Sequence, residues 1–369
     1  MAAIFTLASY AISVVNAIII FLHATAFFLI FDLAAAVASR IWGKAASERT
    51  GRSGRPDEPN KLNEPGKPYK PNEPYKPDKQ DKQDKLDKLG KPGRLKGWLE
   101  RFDRLKGWLA IGVTVIYLAI GYYQDVHVWQ TDYSLQTDKD LHLRIALIAD
   151  SHIGTTFDGD GFAAHMKTIE AQKPDLLVVA GDFVDDASKK EDMLKACQAL
   201  GSMDLRYGVW YANGNHDKGY FNDRDFTYAE LEKALTDQGV HVLADSWELV
   251  DNSFYVACRQ DLTFGSRKSI DELLEGVDTD KYIIVINHIP NDYDNEAASA
   301  ADLVLSGHTH GGQVLPIKYT DRLFGIDDRV YGHEKRDGTD FIVTSGISNW
   351  ELVFKTGTRS EYVIIDVEG

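Results

Sequence analysis

Hydrophobic and polar positions change their pattern several times along the 369 residues, and the first pattern predicts a membrane segment. Residues 4–31 contain no charged side chain, and the run is longer than the roughly 20 residues that cross a bilayer as a helix. A secretory signal peptide with a cleavage site at 36–38 is the competing interpretation. No basic segment precedes the run, and the run exceeds the usual apolar core of a signal peptide. We therefore expect a retained transmembrane segment within residues 1–39, as one span or as a tight pair.

Residues 40–106 have the composition of a disordered linker. Eight of the eleven prolines lie between 43 and 106, and the tract 78–88 consists almost wholly of Asp, Lys and Gln. Few apolar side chains are available to offset the entropy lost on ordering, so we expect no stable fold here. The hexapeptide RLKGWL occurs at 94–99 and again at 104–109. It suits either a short amphipathic helix at a membrane surface or the solvated end of the linker.

A second transmembrane helix is predicted at 107–124, with a buried helix of a soluble domain as the alternative. The run carries no charge, and Trp108, Tyr122 and Tyr123 stand near its ends, where aromatic side chains favour the membrane interface. Basic residues crowd both ends of the linker, which by the positive-inside tendency keeps the linker in the cytoplasm. We therefore expect a multi-pass protein of the cell membrane with residues 125–369 on the extracytoplasmic side.

Residues 125–369 alternate between strand-like and helix-like patterns, as in a globular α/β domain. Short apolar runs such as RIALIA, DLLVVA and YIIVI alternate with helical segments, for example at 160–172 and 188–200. The runs are apolar at nearly every position, which is typical of strands covered on both faces. The two cysteines, Cys197 and Cys258, match no zinc motif. We interpret them as buried thiols, and a single disulfide remains open.

Charge separates the linker from the C-terminal domain. Residues 40–106 hold 19 basic against 11 acidic side chains, a net of +8, whereas residues 125–369 hold 22 against 44, a net of −22. A nucleic acid partner requires a basic protein face, so we predict no nucleic-acid binding by this domain. An acidic domain that acts on an anionic substrate needs a local source of positive charge, and metal ions are the obvious candidate.

Five apolar runs in succession each end in a residue able to ligate a metal. Sites in α/β sheets assemble at the carboxyl ends of strands, so we expect these residues to converge. Each one alone has a plain structural explanation, such as helix capping by Asp150 or a turn at Asp182. If no site existed, a separate structural explanation would have to be true at all five strand ends at once. The candidate ligands are Asp150, His152, Asp182, Asn215, His288, His308 and His310.

The chemistry of these seven candidates points to two catalytic ions. Two carboxylates, one amide oxygen, four imidazoles and no thiolate favour borderline divalent ions such as Mn, Fe or Zn. Seven ligands are too many for one ion that must keep a coordination position open, but they serve two ions when a carboxylate such as Asp182 bridges them. Such a pocket is locally positive within a very acidic domain. It therefore fits a phosphate ester.

The same residues resemble a known family, the calcineurin-like metallophosphoesterases. The motifs that carry the resemblance are DSH at 150–152, GD at 181–182, GNHD at 214–217, His288 and GHTH at 307–310. The longer GHTHGGQV, the later TSGIS and the final SEYVIIDV are similar to a bacterial membrane-linked branch, which includes proteins similar to UDP-2,3-diacylglucosamine pyrophosphatases. The resemblance runs from about 142 to 369. It implies an α/β fold of two packed mixed β-sheets flanked by helices, here preceded by transmembrane helices.

The resemblance also implies how the ligands and the neighbouring residues act. One ion is expected on Asp150, His152, Asp182 and His310, and the other on Asp182, Asn215, His288 and His308. A metal-bound hydroxide is then expected to attack phosphorus in line. His216 would stabilise the phosphoryl charge or protonate the leaving oxygen, and Asp217 would hold its ring. Gly311 and Gly312 would permit the bend that points His308 and His310 to one side.

The predicted function is therefore a membrane-anchored phosphoesterase with a binuclear metal centre. Its expected substrate is a phosphoester or pyrophosphate, either a small molecule or linked to a lipid. The branch often has a Pro-Arg element after TSGIS, whereas this chain has NWELVFKTGTRSEY, which weakens any inference about the substrate. The alternative is a catalytically silent metal-binding scaffold of the same fold.

Overall fold

The computed structural model describes residues 25–33, 36–37, 92–220, 224–314 and 327–369. The chain divides into two compact units, Met1–Tyr117 and Leu118–Gly369. Most of the apolar run 4–31 lies outside the described residues, as does the linker up to residue 91. The predictions made for those segments stay predictions.

Helix α1 (Pro92–Val126) contains the predicted second transmembrane segment and extends beyond it. It begins inside the predicted linker, and both RLKGWL repeats, for which a short amphipathic helix was one of the two interpretations, lie within it. The domain boundary at residue 106 stays a prediction. Within the part of the chain that the structure describes, Leu105–Val126 is the one helix long and apolar enough to cross a membrane. Large apolar side chains along it, such as those of Trp108 and Ile116, are exposed, which suits a lipid environment better than a soluble core.

The second unit alternates strands with short helices. The strands are β1 (Trp129–Gln136), β2 (His142–Ile148), β3 (Leu176–Ala180), β4 (Val209–Ala212), β5 (His241–Leu243), β6 (Ser246–Val250), β7 (Phe254–Cys258), β8 (Tyr282–Ile286), β9 (Leu303–Ser306), β10 (Gly332–Arg336), β11 (Thr339–Val343) and β12 (Glu361–Glu368). The helices that follow α1 are α2 (Gly159–Glu170), α3 (Lys190–Gly201), α4 (Tyr228–Asp237), α5 (Ile270–Leu273) and α6 (Tyr293–Ala298).

Local sequence signals place these helices. Asp158 caps α2 by accepting a hydrogen bond from the Gly161 N–H, which satisfies one of the free donors at the helix start. Thr227 and Glu230 form a reciprocal capping box at the start of α4. The helices expected from the sequence at 160–172 and 188–200 are confirmed as α2 and α3.

The strands form two mixed six-stranded sheets. Sheet A has the order β1-β12-β2-β3-β4-β5, and sheet B has the order β10-β11-β9-β8-β7-β6. In sheet A, β2, β3, β4 and β5 pair in parallel, while β12 is antiparallel to β2. In sheet B, β7, β8, β9 and β11 pair in parallel, and β6 and β10 run antiparallel to their neighbours. The predicted α/β class with two mixed sheets is confirmed.

The two sheets pack face to face and carry helices on their outer faces. Ile145 and Leu147 of β2 lie in the core between the sheets, whereas Ala146 and Ile148 on the same strand pack with the core beneath α2, α3 and α4. This alternation follows from the two-residue period of a strand. A third cluster packs the outer face of sheet B against α5 and α6. Both faces of each sheet are therefore covered, which explains the continuous apolar runs in the sequence.

The last turns of α1 belong to the second unit. The unit begins at Leu118, earlier than the expected boundary at residue 125. The Lys355 N–H donates to the Gly121 carbonyl at 3.0 Å, and the Ser360 N–H donates to the Gln124 carbonyl at 2.9 Å. Only two residues separate Val126 from the first strand. The helix end is therefore attached directly to the folded domain.

The two cysteines are free and buried, as expected from the sequence. Cys197 lies in α3 and Cys258 ends β7, so the two thiols belong to different layers of the fold. Burial raises the pKa of Cys197 to about 12, which keeps its thiol protonated and unreactive.

Candidate metal centre

The seven candidate ligands all follow strands whose carboxyl ends meet at one side of the sandwich. Asp150 follows β2, Asp182 follows β3 and Asn215 follows β4, and these three strands are parallel neighbours in sheet A. His288 follows β8 and His308 follows β9, which are parallel neighbours in sheet B. Parallel strands place their carboxyl ends at the same edge of a sheet, so the topology itself gathers these side chains.

The first group of ligands consists of Asp150, His152 and His310. One ligand atom from each lies within 4.8 Å of the others, and all three side chains are buried. The His152 and His310 rings stack with centroids 5.1 Å apart. Among the described residues, no hydrogen-bond partner exists for Asp150 Oδ2, for either ring nitrogen of His152 or for His310 Nδ1. Buried polar atoms normally have partners, so this cluster has the chemistry of a cation site.

The second group consists of Asp182, His288 and His308, with Asn215 beside them. His288 Nδ1 lies 2.7 Å from the Ala180 carbonyl, which can only accept, so Nδ1 carries a proton. His288 Nε2 lies 3.1 Å from Asp182 Oδ2 and 3.1 Å from Asn215 Oδ1. If the ring is neutral, the lone pair of His288 Nε2 faces two oxygen atoms that are also acceptors. Three acceptors can lie this close together when a cation binds between them.

One oxygen of Asp182 lies between the two groups. Asp182 Oδ2 is 3.1 Å from His288 Nε2 in the second group and 3.7 Å from His152 Nε2 in the first. Its other oxygen, Oδ1, accepts a hydrogen bond from the His216 N–H at 2.8 Å, which fixes the carboxylate. Asp182 is thus placed to bridge two ions, as the ligand count in the sequence predicts.

Five of the seven candidate ligands have a left-handed backbone. Their φ angles are 53° for Asp150, 36° for His152, 50° for Asp182, 70° for His308 and 48° for His310. Residues other than glycine rarely adopt this region, and when they do they cluster at functional sites. Gly311 and Gly312 continue the bend with φ angles of 61° and 76°. The expected bend after the histidine pair is present, but it already begins at the histidines.

Burial and the mutual attraction of carboxylates and imidazoles shift the pKa values of the groups at the centre. Burial raises the pKa of Asp150 to about 6. Burial would also raise the pKa of Asp182, but the attraction of His288 outweighs this and lowers it. The same carboxylates raise the pKa of His288 to about 10 against the effect of burial. Burial and the nearby His288 lower the pKa of His308 to about 4, so its imidazole is neutral, which is the form that ligates a metal.

Comparisons with known proteins identify the domain. Residues 143–312 match the family model of the calcineurin-like phosphoesterases. Over 246 residues the chain is 32% identical to a metallophosphoesterase of Aquifex aeolicus (strain VF5), covering 64% of this chain and 90% of that protein. The chain belongs to the calcineurin-like metallophosphoesterase family. Membership identifies the domain as a metal-dependent phosphoesterase, and the two ligand groups fit two divalent ions.

Two more distant relatives extend the comparison. A metallophosphoesterase of Helicobacter pylori is 28% identical over 284 residues, covering 73% of this chain and 71% of that protein. A Danio rerio protein, named a transmembrane protein with metallophosphoesterase domain, is 28% identical over 234 residues, covering 59% of this chain. The matched region spans about half of the Danio rerio protein, 52% of its length.

His216 of the metallophosphoesterase domain lies beside the first ligand group, and Asp185 holds its ring. Asp185 Oδ1 is 3.1 Å from His216 Nδ1, and its Oδ2 is 3.5 Å from His152 Nδ1. Burial alone would lower the pKa of His216, but the hydrogen bond to Asp185 and the charge of Asp182 raise it. The sequence reasoning missed Asp185, although it follows Asp182 by three residues in the run GDFVDD.

The expectation that Asp217 holds the His216 ring is wrong. The Asp217 carboxylate turns into the loop and accepts hydrogen bonds from the N–H groups of Phe183, Val184 and Gly214 at 2.8–3.1 Å. It is fully buried and ties the loop after β3 to the loop after β4. Asp217 therefore holds the backbone of the two loops that carry candidate ligands, and Asp185 makes the hydrogen bond to the His216 ring.

A buried lysine behind the first ligand group was also missed. Lys355 is fully buried, and its Nζ donates to the carbonyls of Ser345 and Ser348 at 2.6 and 3.1 Å. Burial lowers its pKa to about 8, although neighbouring carboxylates, among them Asp150, oppose this. It holds the loop that contains Gly346, where an added Cβ would lie 2.8 Å from the Cβ of Asp150. Lys355 lies in the segment NWELVFKTGTRSEY, which contains no motif that indicates a buried lysine.

Proposed function

We propose that the protein is a membrane-anchored hydrolase of phosphoester or pyrophosphate bonds that uses two divalent ions. The observation that carries this proposal is the placement of Asp182 Oδ2 between the two ligand groups. A single carboxylate placed between two sets of imidazoles would hold two ions close together, which suits two-metal hydrolysis. Family membership supports the phosphoesterase chemistry, and the bond type and substrate are our proposal.

The ligands divide between the ions as follows in this proposal. One ion is held by Asp150, His152, Asp182 and His310, and the other by Asp182, Asn215, His288 and His308. The mixture of imidazole and oxygen donors without thiolate favours Mn, Fe or Zn. When bound, the ions supply positive charge for the phosphoryl oxygens and lower the pKa of water, which provides the nucleophile.

The protein's own residues hold the substrate and move the proton. His216 lies next to the first ligand group, so its imidazolium faces the phosphoryl group and can protonate the leaving oxygen. Asp185 keeps this ring oriented through Nδ1, which leaves Nε2 for the substrate. The His216 N–H to Asp182 hydrogen bond of 2.8 Å couples the position of the acid to the bridging carboxylate. Asp217 supports both loops from below.

Anchoring in the membrane is the second part of the proposal. The exposed apolar surface of Leu105–Val126 supports one span, and relatives named as transmembrane proteins agree with it. Within the first unit, Lys106 pairs with Asp32 at 2.8 Å and Phe27 packs edge-on against Tyr117. These contacts support a second helix in 1–39 and thus a multi-pass protein of the cell membrane. The basic linker ends support an extracytoplasmic catalytic domain, where a lipid-linked substrate is accessible.

The test is a substrate screen with metal quantified in the same sample. Purified full-length protein in detergent is loaded with Mn, Fe or Zn and assayed on mono-, di- and pyrophosphate esters, soluble and lipid-linked. We expect two ions per chain and hydrolysis of at least one ester class. Asp182→Asn is expected to abolish the binding of two ions and the hydrolysis. Two ions per chain without hydrolysis of any ester would instead favour the catalytically silent metal-binding scaffold. Fewer than two ions in the active protein would refute the shared-carboxylate assignment.

A further inference from the structure

Two exposed aromatic side chains border the candidate centre. Among the described residues of the second unit outside α1, the large apolar side chains exposed to solvent include two aromatic ones, Tyr220 at 53% and Trp350 at 40%. Both contact the His216 ring, with ring centroids 5.0 Å and 5.4 Å away. Outside α1, the other aromatic rings described in this unit are buried or half-buried. Among the described residues after α1, exposed aromatic surface is therefore concentrated at one place, beside the phosphate-facing histidine.

These two residues, which we call the aromatic rim, are hydrogen-bonded to their neighbours. The Tyr220 hydroxyl accepts from Asn215 Nδ2 at 2.8 Å, and the Tyr220 N–H donates to the Asp186 carboxylate at 3.0 Å. The Trp350 carbonyl accepts from Gln313 Nε2 at 3.1 Å. The Tyr220 ring is thus held at its hydroxyl, and the backbone that carries the Trp350 ring is held at its carbonyl, although much of both rings faces solvent. A fixed, exposed ring can bind a flat partner with little loss of side-chain entropy.

The position of the rim assigns it to one side of the substrate. In the proposed mechanism, on which this inference rests, His216 protonates the leaving oxygen. A side chain that contacts His216 and faces solvent therefore lies next to the group that leaves, whereas the phosphoryl oxygens face the ligand groups. The rim offers ring faces and brings no cation of its own, so it suits an uncharged planar group better than a second phosphate.

We propose that Tyr220 and Trp350 bind a planar aromatic ring in the leaving group and so determine which esters are hydrolysed efficiently. Stacking of one ring on an aromatic side chain contributes about 1–3 kcal/mol, which corresponds to roughly 5- to 150-fold in kcat/KM. The preference belongs to the rings, and the Tyr220 hydroxyl serves to position Asn215. Aryl groups and nucleobases share the required chemistry.

The experiment compares planar and non-planar leaving groups of equal size on the full-length, metal-loaded protein in detergent. Benzyl and cyclohexylmethyl phosphates, as monoesters and as methyl diesters, differ mainly in the flatness of the ring. Wild type is expected to favour benzyl by at least 5-fold in kcat/KM. A comparison of adenosine 5′-monophosphate with ribose 5-phosphate distinguishes a nucleobase from a smaller aryl group.

Variants separate the rings from the rest of the site. Trp350→Ala is expected to lose the benzyl preference and to retain cyclohexylmethyl hydrolysis. Tyr220→Ala and Tyr220→Phe both lack the hydroxyl that contacts Asn215, so these two variants are compared with each other; Tyr220→Phe keeps the ring and is expected to keep the preference at whatever overall rate, and Tyr220→Ala is expected to lose it. Trp350→Phe also keeps a ring and is expected to keep the preference, and both phenylalanine variants remain informative if an alanine variant fails to fold. Leu249→Ala removes an equally exposed side chain (40%) from β6 and serves as the matched control.

The outcomes distinguish this inference from the proposed function. Hydrolysis without a benzyl preference, or a preference unchanged in both alanine variants, overturns the aromatic rim and leaves the phosphoesterase assignment intact. A preference for dodecyl phosphate over benzyl phosphate also overturns it, in favour of an alkyl chain. The absence of hydrolysis with two ions bound overturns the proposed function itself and the rim with it. Inhibition by benzylphosphonate compared with cyclohexylmethylphosphonate provides a readout of binding alone.

Discussion

Replacing Asp185 by asparagine tests whether His216 acts as an acid. The substitution keeps the shape of the side chain and removes the charge between His216 Nδ1 at 3.1 Å and His152 Nδ1 at 3.5 Å. Asp185 is 5% exposed, so solvent screens this charge weakly. Because the carboxylate raises the pKa of His216 and burial opposes it, removing the charge must lower that pKa. The imidazolium of His216 then persists only to a lower pH.

The expected size of the effect follows from the contact that is lost. A hydrogen bond to a charged group contributes about 1.5–3 kcal/mol, which changes the ratio of protonated to neutral His216 by roughly 10- to 100-fold. A positioned general acid contributes about 10²- to 10⁴-fold to the rate, which sets the upper limit of the loss. The loss should be large for an alkyl ester, whose leaving oxygen needs a proton, and small for a p-nitrophenyl ester, which leaves without one.

The assay measures kcat on both esters against pH, with metal content determined in each sample. Asp185→Asn should shift the alkaline decline of alkyl ester hydrolysis to lower pH and keep near wild-type metal content. His216→Ala serves as the comparison, because it removes the acid and should leave metal content unchanged. Equal losses on both esters, or loss of metal in step with activity, would refute the role assigned to Asp185 and His216.

Three further predictions concern stability. His310 has φ 48°, so His310→Gly should unfold with a free energy about 1 kcal/mol higher than His310→Ala in the metal-free protein, because glycine tolerates this backbone; chemical denaturation measures the difference, and equal values would argue against backbone strain. Burial raises the pKa of Glu296 to about 7 from 4.5, although the buried ion pair with Arg259 at 2.8 Å opposes this, so the native state binds this proton more tightly than the unfolded state, and stability falls as pH rises. Relative to Glu296→Gln, the wild type should lose on the order of 1–3 kcal/mol between roughly pH 4.5 and pH 7, as measured by unfolding at several pH values; a constant difference would contradict this. A divalent ion at 100 times its Kd should stabilise the protein by about 2.7 kcal/mol per site, so chelation should lower the unfolding temperature. Asp182→Asn should show little of this response, and a full response in the variant would show that Asp182 holds no ion.

The sequence predicted the fold and the candidate ligands because both depend on local patterns. Apolar runs covered on both faces indicate buried strands, and metal-capable residues at five strand ends must meet once parallel strands pair. Asn215 and His288 come from different sheets, and their 3.1 Å approach requires only the face-to-face packing of those sheets. The pattern of strand ends therefore carries information over long distances in the chain.

The partner of His216 could not be predicted, because it depends on side-chain direction within a loop. Asp185, Asp186 and Asp217 all lie near His216 in sequence or across neighbouring strands. In the structure Asp186 accepts from the Tyr220 N–H, and Asp217 accepts from backbone donors below the centre. Periodicity gives no information in such loops, since each orientation is decided by which N–H groups remain unsatisfied.

The residue at which α1 begins could not be predicted from composition either. Prolines extend to residue 92 and lysines to residue 106, and this mixture resembles a linker. Pro92 nevertheless occupies the first position of the helix, where a missing N–H carries no penalty, and the two RLKGWL repeats continue it. A helix boundary set by one residue inside a biased segment cannot be found from averages.

The left-handed backbone at five candidate ligand positions has a consequence for protein engineering. Aspartate, asparagine and histidine adopt this region more readily than most other residues with a side chain, so exchanges among these three disturb the loops least. Glycine would relieve the backbone at Asp150 or Asp182, but it would also remove the carboxylate that accepts the His308 N–H at 2.9 Å or the His216 N–H at 2.8 Å. A centre of altered metal preference is therefore best sought by exchanging Asp, Asn and His at these five positions.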